Sequence, residues 1–202
     1  MAMKILGLTG DIACGKSTVA KLLAARGAAL LDADLLVREL YAGATFAARV
    51  QELFEADVRA ESGAIDRAKL GAEVLGNANK LRELEKLVHP AVADLRAQRL
   101  LELLQSGQKV VVTEAVKLLE SGQGRACDEV WCVVCSPEVQ LQRLIKHRGQ
   151  SEAAARLRLE SQPSRAAKAD LAGQIPLVWI ENDASLKQLA AQVARQWTRF
   201  LA

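Results

Sequence analysis

The chain has 202 residues, half of them hydrophobic and a quarter charged, with only 3% aromatic and a formal charge of +3. That length suits one well-packed core with a modest helical embellishment, and the composition excludes intrinsic disorder. The charge is too small to indicate a nucleic-acid partner, no basic face is interleaved with aromatics, and no apolar run reaches membrane-spanning length, so neither nucleic acid nor membrane is expected as a partner.

In chain order, the first apolar run is Lys4–Thr9, directly after Met1-Ala2-Met3. No leader-like apolar segment with a small-residue cleavage site precedes it, so a cytoplasmic location is expected. Further β-rich runs follow at Ala28–Asp32, Lys109–Glu114, Glu129–Val134 and Leu177–Glu181. Each is nearly continuous in apolar residues, the pattern of strands buried on both faces of a parallel sheet. Strands alternating with helices predict a doubly wound α/β layer.

The second and third runs are separated by far more chain than a single crossover needs. Helical spacing of apolar residues predicts helices at Leu35–Tyr41, Ala47–Phe54, Arg67–Leu75, Leu81–Leu87 and Ala91–Leu104. One domain is therefore expected over 1–202. It comprises a core (1–35, 109–142, 169–202), a helical insert (36–108) and an Arg-rich helical flap (143–168).

Between the first strand and a helix marked by Val19, Leu22, Leu23 and Arg26 lies Gly10-Asp11-Ile12-Ala13-Cys14-Gly15-Lys16-Ser17. This fits G-x-x-x-x-G-K-[ST] in the strand–loop–helix context that gives the motif its meaning. Glycines let the backbone curl so that successive amides converge on an anion. The helix N-terminus adds its dipole, Lys16 a full charge at the outer phosphates, and Ser17 a hydroxyl for Mg²⁺. The alternative, a glycine turn with a chance Lys-Ser, does not account for strand, loop and helix falling in one register.

Asp32 ends the second strand, where ligands collect in open α/β sheets. A carboxylate there can take the proton of an acceptor hydroxyl or hold Mg²⁺ through water. Asp34, immediately before Leu35-Leu36-Val37, is expected to cap the next helix. The flap contains Arg143, Lys146, Arg148, Arg156, Arg158, Arg165 and Lys168 against Glu152 and Glu160. Such a stretch is either a solvated face or a source of arginines that neutralise a transferring phosphoryl group.

The four cysteines do not read as a disulfide framework. Cys14 is expected to be a small side chain tolerated in the loop. Cys132 and Cys135 stand three apart on a strand, so their thiols face opposite sides and cannot share a metal.

Leu8-Thr9-Gly10 with the loop, Asp32-Ala33-Asp34 with Arg38-Glu39-Leu40, and Leu87-Val88-His89-Pro90 together resemble bacterial dephospho-CoA kinases. Gly63-Ala64-Ile65-Asp66-Arg67, Leu84-Glu85, and Arg148-Gly149-Gln150-Ser151 with Arg158 and Gln162 extend the resemblance through nearly the whole chain. It implies a three-layer α/β P-loop NTPase fold with a five-stranded parallel sheet, a helical acceptor-binding insert and a helical lid. The implied reaction moves the γ-phosphoryl group of ATP to the 3′-hydroxyl of dephospho-CoA, with Mg²⁺ as cofactor.

Combined with the loop, the resemblance gives Lys16, Asp32 and Arg148 as catalytic residues. ATP is expected on Asp11, Ile12, Ala13, Cys14, Gly15, Lys16, Ser17, Thr18, Arg143 and Arg148. Asp32 and His89 are expected to hold the acceptor, and Ser17 the metal, with Asp32 through water. On the residues alone His89-Pro90 reads equally as a helix start.

The chain departs from the family pattern at Asp11, where glycine is usual, and at Glu114-Ala115-Val116-Lys117-Leu118-Leu119-Glu120, where Asp-x-Pro-Leu-Leu-Phe-Glu is usual. It departs again at Asn182-Asp183-Ala184, where Asn-x-Gly is usual, and around Gly173–Pro176, where extra residues stand. Without the resemblance, a nucleoside, nucleotide or other alcohol acceptor stays open. A GTP-dependent switch fits poorly: Asn79-Lys80-Leu81-Arg82 lacks the guanine-reading aspartate, and Asp170-Leu171-Ala172-Gly173 falls out of order.

Overall fold

The computed structural model describes residues 3–202. The five apolar runs form β1 (Lys4–Gly10), β2 (Ala29–Asp32), β3 (Val110–Glu114), β4 (Glu129–Val134) and β5 (Leu177–Glu181). They make one five-stranded parallel sheet in the order β2-β3-β1-β4-β5. β1 lies centrally, with Leu8 opposite Glu114 of β3 and Gly10 opposite Val133 of β4. β3 and β4 are buried along their whole length, which is why their sequences show no polar alternation.

Around the strands run α1 (Lys16–Ala24), α2 (Ala33–Ala42), α3 (Ala44–Gln51), α4 (Arg67–Val74), α5 (Ala78–Gln105), α6 (Pro137–Arg148), α7 (Glu152–Glu160), α8 (Arg165–Ala172) and α9 (Leu186–Leu201). None of the described helices is long and apolar enough to cross a membrane.

The chain divides into two compact units, one of residues up to Leu30 with Leu103–Ala202, the other of Leu31–Glu102. In the first, successive side chains of β1 alternate between faces. Leu6 and Leu8 join Trp131, Val133 and Ile180 against Val19 and Leu23 of α1 and Leu189, Val193, Trp197 and Phe200 of α9. Ile5 packs instead with Leu118, Leu119, Cys127 and Val130. Each large apolar side chain buried this way contributes roughly 1.5–3 kcal/mol. A capping box, Ser185 with Gln188, fixes where α9 starts and hence which of its residues face the sheet.

The second unit is a helical cluster around Phe46, Val50, Phe54, Val58, Ile65 and Leu70, all buried. α3 stops at Gln51, short of the expected Phe54. The Gln51 amide turns the chain there, donating to the carbonyls of Phe54 and Ala56 and accepting from the Val58 amide.

Two expectations need correction. The helices expected at 81–87 and 91–104 are one helix, α5, with Pro90 inside it. Proline there removes one i→i−4 bond and costs roughly 3 kcal/mol. The helix continues through it because Val88 and Val92, one turn apart around Pro90, are both buried. His89-Pro90 is therefore not a helix start. Second, the cap of α2 is Asp32 rather than Asp34: Asp32 Oδ1 accepts from the amides of Asp34 (2.8 Å) and Leu35 (3.4 Å). The helix begins two residues earlier than its apolar face suggests, at Ala33 rather than Leu35.

The expected flap over 143–168 begins inside α6, includes α7 and ends inside α8. The three helices are capped by Ser136, Ser151 and Ser164.

Candidate active site

Residues 10–15 turn the chain from β1 into α1. Gly10 is required by the approach of β4, because a Cβ there would lie 2.5 Å from the Val133 carbonyl. Gly15 has φ 91° and ψ 26°, and a Cβ on it would strike the Asn182 amide. Ala13 adopts φ 60°, alone among the described non-glycine residues, at a cost of roughly 1–2 kcal/mol.

The neighbouring polar side chains hold that conformation. Arg143 Nη1 donates to the Ala13 carbonyl (3.2 Å), and Asn182 Nδ2 donates to the Cys14 carbonyl (2.7 Å). A peptide plane fixes its N–H opposite its C=O. Tying the Cys14 carbonyl to Asn182 therefore turns the Gly15 amide the other way, as an anion-binding nest needs. Arg143 Nη2 also reaches the Asn182 carbonyl (3.0 Å), so the two clamps support each other.

Charge is distributed with equal care. Lys16 Nζ lies 2.6 Å from Glu114 Oε1 at the end of β3. Asp11 pairs with Lys168 of α8, a lysine only 6% exposed, whose burial pulls its pKa below the ordinary lysine value. The Ile12 amide donates to Gln162 Oε1 (2.6 Å) from the α7–α8 turn. Gln162 Nε2 reaches Gln140 Oε1 (3.3 Å), and Gln140 Nε2 reaches Cys14 Sγ (3.0 Å). A cavity of about 290 Å³ opens beside the loop, lined by Ala13, Gly15, Thr18, Arg143, Asn182 and Leu186 among others.

Of the expected site residues, Asp11, Ile12, Ala13, Cys14 and Gly15 form the loop, while Lys16, Ser17 and Thr18 form the first turn of α1. Arg143 is brought onto the loop. Arg148 is exposed in the last turn of α6. Asp32 and His89 belong to the second compact unit, Asp32 half-buried as the α2 cap and His89 exposed midway along α5.

Sequence reasoning missed three contributors: Glu114, Asn182 and Lys168. Glu114 and Asn182 carried the signal that singled out Asp32, a polar side chain at or just beyond the carboxyl end of a strand. Lys168 had only its membership of a basic stretch.

A parallel sheet in this order, with a clamped glycine loop feeding a lysine-led helix from its central strand, defines a P-loop phosphotransferase. The sequence profile of the dephospho-CoA kinase family matches residues 4–188. The dephospho-CoA kinase of Geobacter sulfurreducens is 37% identical over 198 residues, covering 98% of each chain. Among solved structures, TT1252 from Thermus thermophilus superposes with a TM-score of 0.80 at 27% identity, covering 98% of each chain. The dephospho-CoA kinase of Campylobacter jejuni shares the fold at a TM-score of 0.66 and 20% identity, again over 98% of each chain. The chain belongs to the dephospho-CoA kinase family and is an ATP-dependent kinase.

Proposed function

We propose that the chain transfers the γ-phosphoryl group of ATP to the 3′-hydroxyl of dephospho-CoA, giving coenzyme A and ADP. The observation that carries this is the clamped loop of a chain matching one kinase family from residue 4 to residue 188. ATP lays its phosphates along residues 11–18, and Arg143 and Thr18 border the cavity that takes the rest of the nucleotide. Lys16 leaves Glu114 for the outer phosphates, and Arg148 closes on them from the end of α6.

Ser17, exposed on the first turn of α1, fits Mg²⁺, an ion that binds through one or two protein oxygens plus substrate phosphates rather than in an all-protein cage. Among the described residues no group of three or more His, Cys, Asp or Glu forms such a cage. When bound, the ion neutralises charge on the phosphate oxygens.

Asp32 receives the proton of the attacking hydroxyl, and its position at the carboxyl end of β2 supports that role. An alternative task for it, holding the metal through water, uses the same carboxylate. His89 orients the acceptor from α5. A cytoplasmic enzyme acting on small-molecule substrates, with neither nucleic acid nor membrane as partner, belongs to the same proposal, and the net charge of +3 gives no electrostatic case for a nucleic acid.

A crystal structure with dephospho-CoA tests the assignment. The expected distance from the ribose 3′-oxygen to the Asp32 carboxylate is roughly 2.6–3.2 Å. A 3′-hydroxyl held by another base, with Asp32 out of reach, overturns it.

A further inference from the structure

The cysteines that look paired in sequence, Cys132 and Cys135, are not the pair the fold makes. Cys135, just past β4, lies with its sulfur 3.1 Å from that of Cys14 inside the phosphate loop, 121 residues away. Both sit in the same apolar cluster, Cys14 fully buried and Cys135 9% exposed. A disulfide needs a separation of about 2.05 Å, so closure requires an approach of about 1 Å.

We infer that Cys14 and Cys135 form an oxidative modification site, in which hydrogen peroxide closes a disulfide that disables the phosphate loop. This rests on reading residues 11–18 as the nucleotide site.

The chemistry has a direction. Arg143 Nη1 lies 3.6 Å from Cys135 Sγ. The contact with the Cys14 sulfur, joined by the Arg143 charge, draws the Cys135 thiol below its ordinary value, against its burial and the carboxylates of Asp183 and Glu181. Cys14 is held protonated by the same contact and by burial. The Cys135 thiolate therefore attacks one peroxide oxygen, the O–O bond breaks, and a sulfenic acid and hydroxide result. The Cys14 sulfur then attacks the Cys135 sulfur, its proton leaves with the departing hydroxyl as water, and the S–S bond forms. Two thiols are oxidised by two electrons and one peroxide is reduced to two waters.

The remaining cysteines are placed differently. Cys132 is buried on β4, and burial pushes its thiol up to about 12. Cys127 packs in the separate cluster around Leu118 and Val130.

The bond would reach the loop where it has least freedom. Cys14 stands between Ala13 at φ 60° and Gly15 at φ 91°, with its carbonyl tied to Asn182. Pulling its sulfur toward β4 turns that peptide and misaims the Gly15 amide.

The test treats reduced protein with hydrogen peroxide and reads three quantities: non-reducing peptide mass spectra, affinity for a fluorescent ATP analogue, and turnover, each before and after dithiothreitol. The expected result is a Cys14–Cys135 linked peptide with at least about tenfold weaker nucleotide binding, restored by reductant. Cys135→Ala should keep its reduced-state turnover and resist peroxide, while Cys132→Ala should behave as the wild type.

Absence of the linked peptide, a Cys132–Cys135 link instead, or equal inactivation of Cys135→Ala overturns the inference. Should Cys135→Ala fail to fold, the wild-type peptide map decides alone. A linked peptide with unchanged affinity also refutes the blocking effect. If Lys16→Ala then binds nucleotide like the wild type, the fault lies in the placement of the nucleotide site rather than in the bond.

Discussion

Lys16 Nζ and Glu114 Oε1 lie 2.6 Å apart, joining the first residue of α1 to the last residue of β3, with both side chains largely shielded from water. The ammonium proposed to meet phosphate is thus held in place by a carboxylate on the strand beside β1. Removing one partner of such a pair strands the other. Lys16→Ala should lower turnover at least about a hundredfold and lower unfolding free energy by about 1–3 kcal/mol. The double variant Lys16→Ala, Glu114→Ala should regain part of that stability and none of the turnover. Steady-state kinetics and urea unfolding check both; a single variant as stable as the wild type would contradict the pair's role.

Asp32 has two tasks that can be separated. Asparagine caps a helix about as well as aspartate, whereas alanine costs roughly 0.5–2 kcal/mol. Asp32→Asn should therefore keep the melting temperature and the ATP affinity while kcat falls by about 10²–10⁴. Asp32→Ala should lose stability as well. An equal loss of kcat and of ATP affinity in Asp32→Asn would make the residue a ligand rather than a base.

The Asp11–Lys168 pair balances a carboxylate that sits inside a loop built for anions. Lys168→Met should raise the KM for ATP by roughly tenfold, and adding Asp11→Gly should restore it, since the unpaired charge is then gone. The pH dependence has a definite sign. Burial depresses the Lys168 pKa, so charging it costs stability whenever it is protonated in both states. That cost fades as pH rises from the folded pKa toward the ordinary lysine value of about 10.4. Relative to Lys168→Met, wild-type stability should therefore rise as the pH climbs from below toward the ordinary lysine value. A fall over that window would show that the lysine is not held down by burial.

Pro90 lies inside α5, so Pro90→Ala should restore a missing backbone bond and leave stability equal or higher. Neighbouring His89, exposed on the same helix, should affect only the acceptor. His89→Ala is expected to raise the KM for dephospho-CoA severalfold with the KM for ATP unchanged. Thermal unfolding and two-substrate kinetics read these outcomes, and a His89→Ala change confined to ATP would contradict the assignment.

What was legible in the sequence follows from what is local. The strands were readable because Val110–Val112 and Val130–Val134 are buried on both faces and show no polar break. The loop was readable because its chemistry is contiguous from Gly10 to Ser17. The α2 cap was misassigned because Ala33 opens the helix without an apolar signal, and α5 was split because proline more often starts a helix than sits inside one.

Arg143 on Ala13, Asn182 on Cys14 and Lys168 on Asp11 were not legible as contacts. Each joins residues more than a hundred positions apart, and only the parallel register of β1, β4 and β5 brings them together. The Cys14–Cys135 contact is the clearest instance: the spacing set Cys132 and Cys135 on opposite sides, and nothing local named Cys14 as the neighbour of Cys135.

The most direct measurement of the central claim is ADP release, followed by coupled assay, with dephospho-CoA, uridine, AMP and shikimate offered separately as acceptors. The account predicts turnover with dephospho-CoA, yielding coenzyme A, and none above background with the other three. ADP release with uridine and none with dephospho-CoA would contradict it.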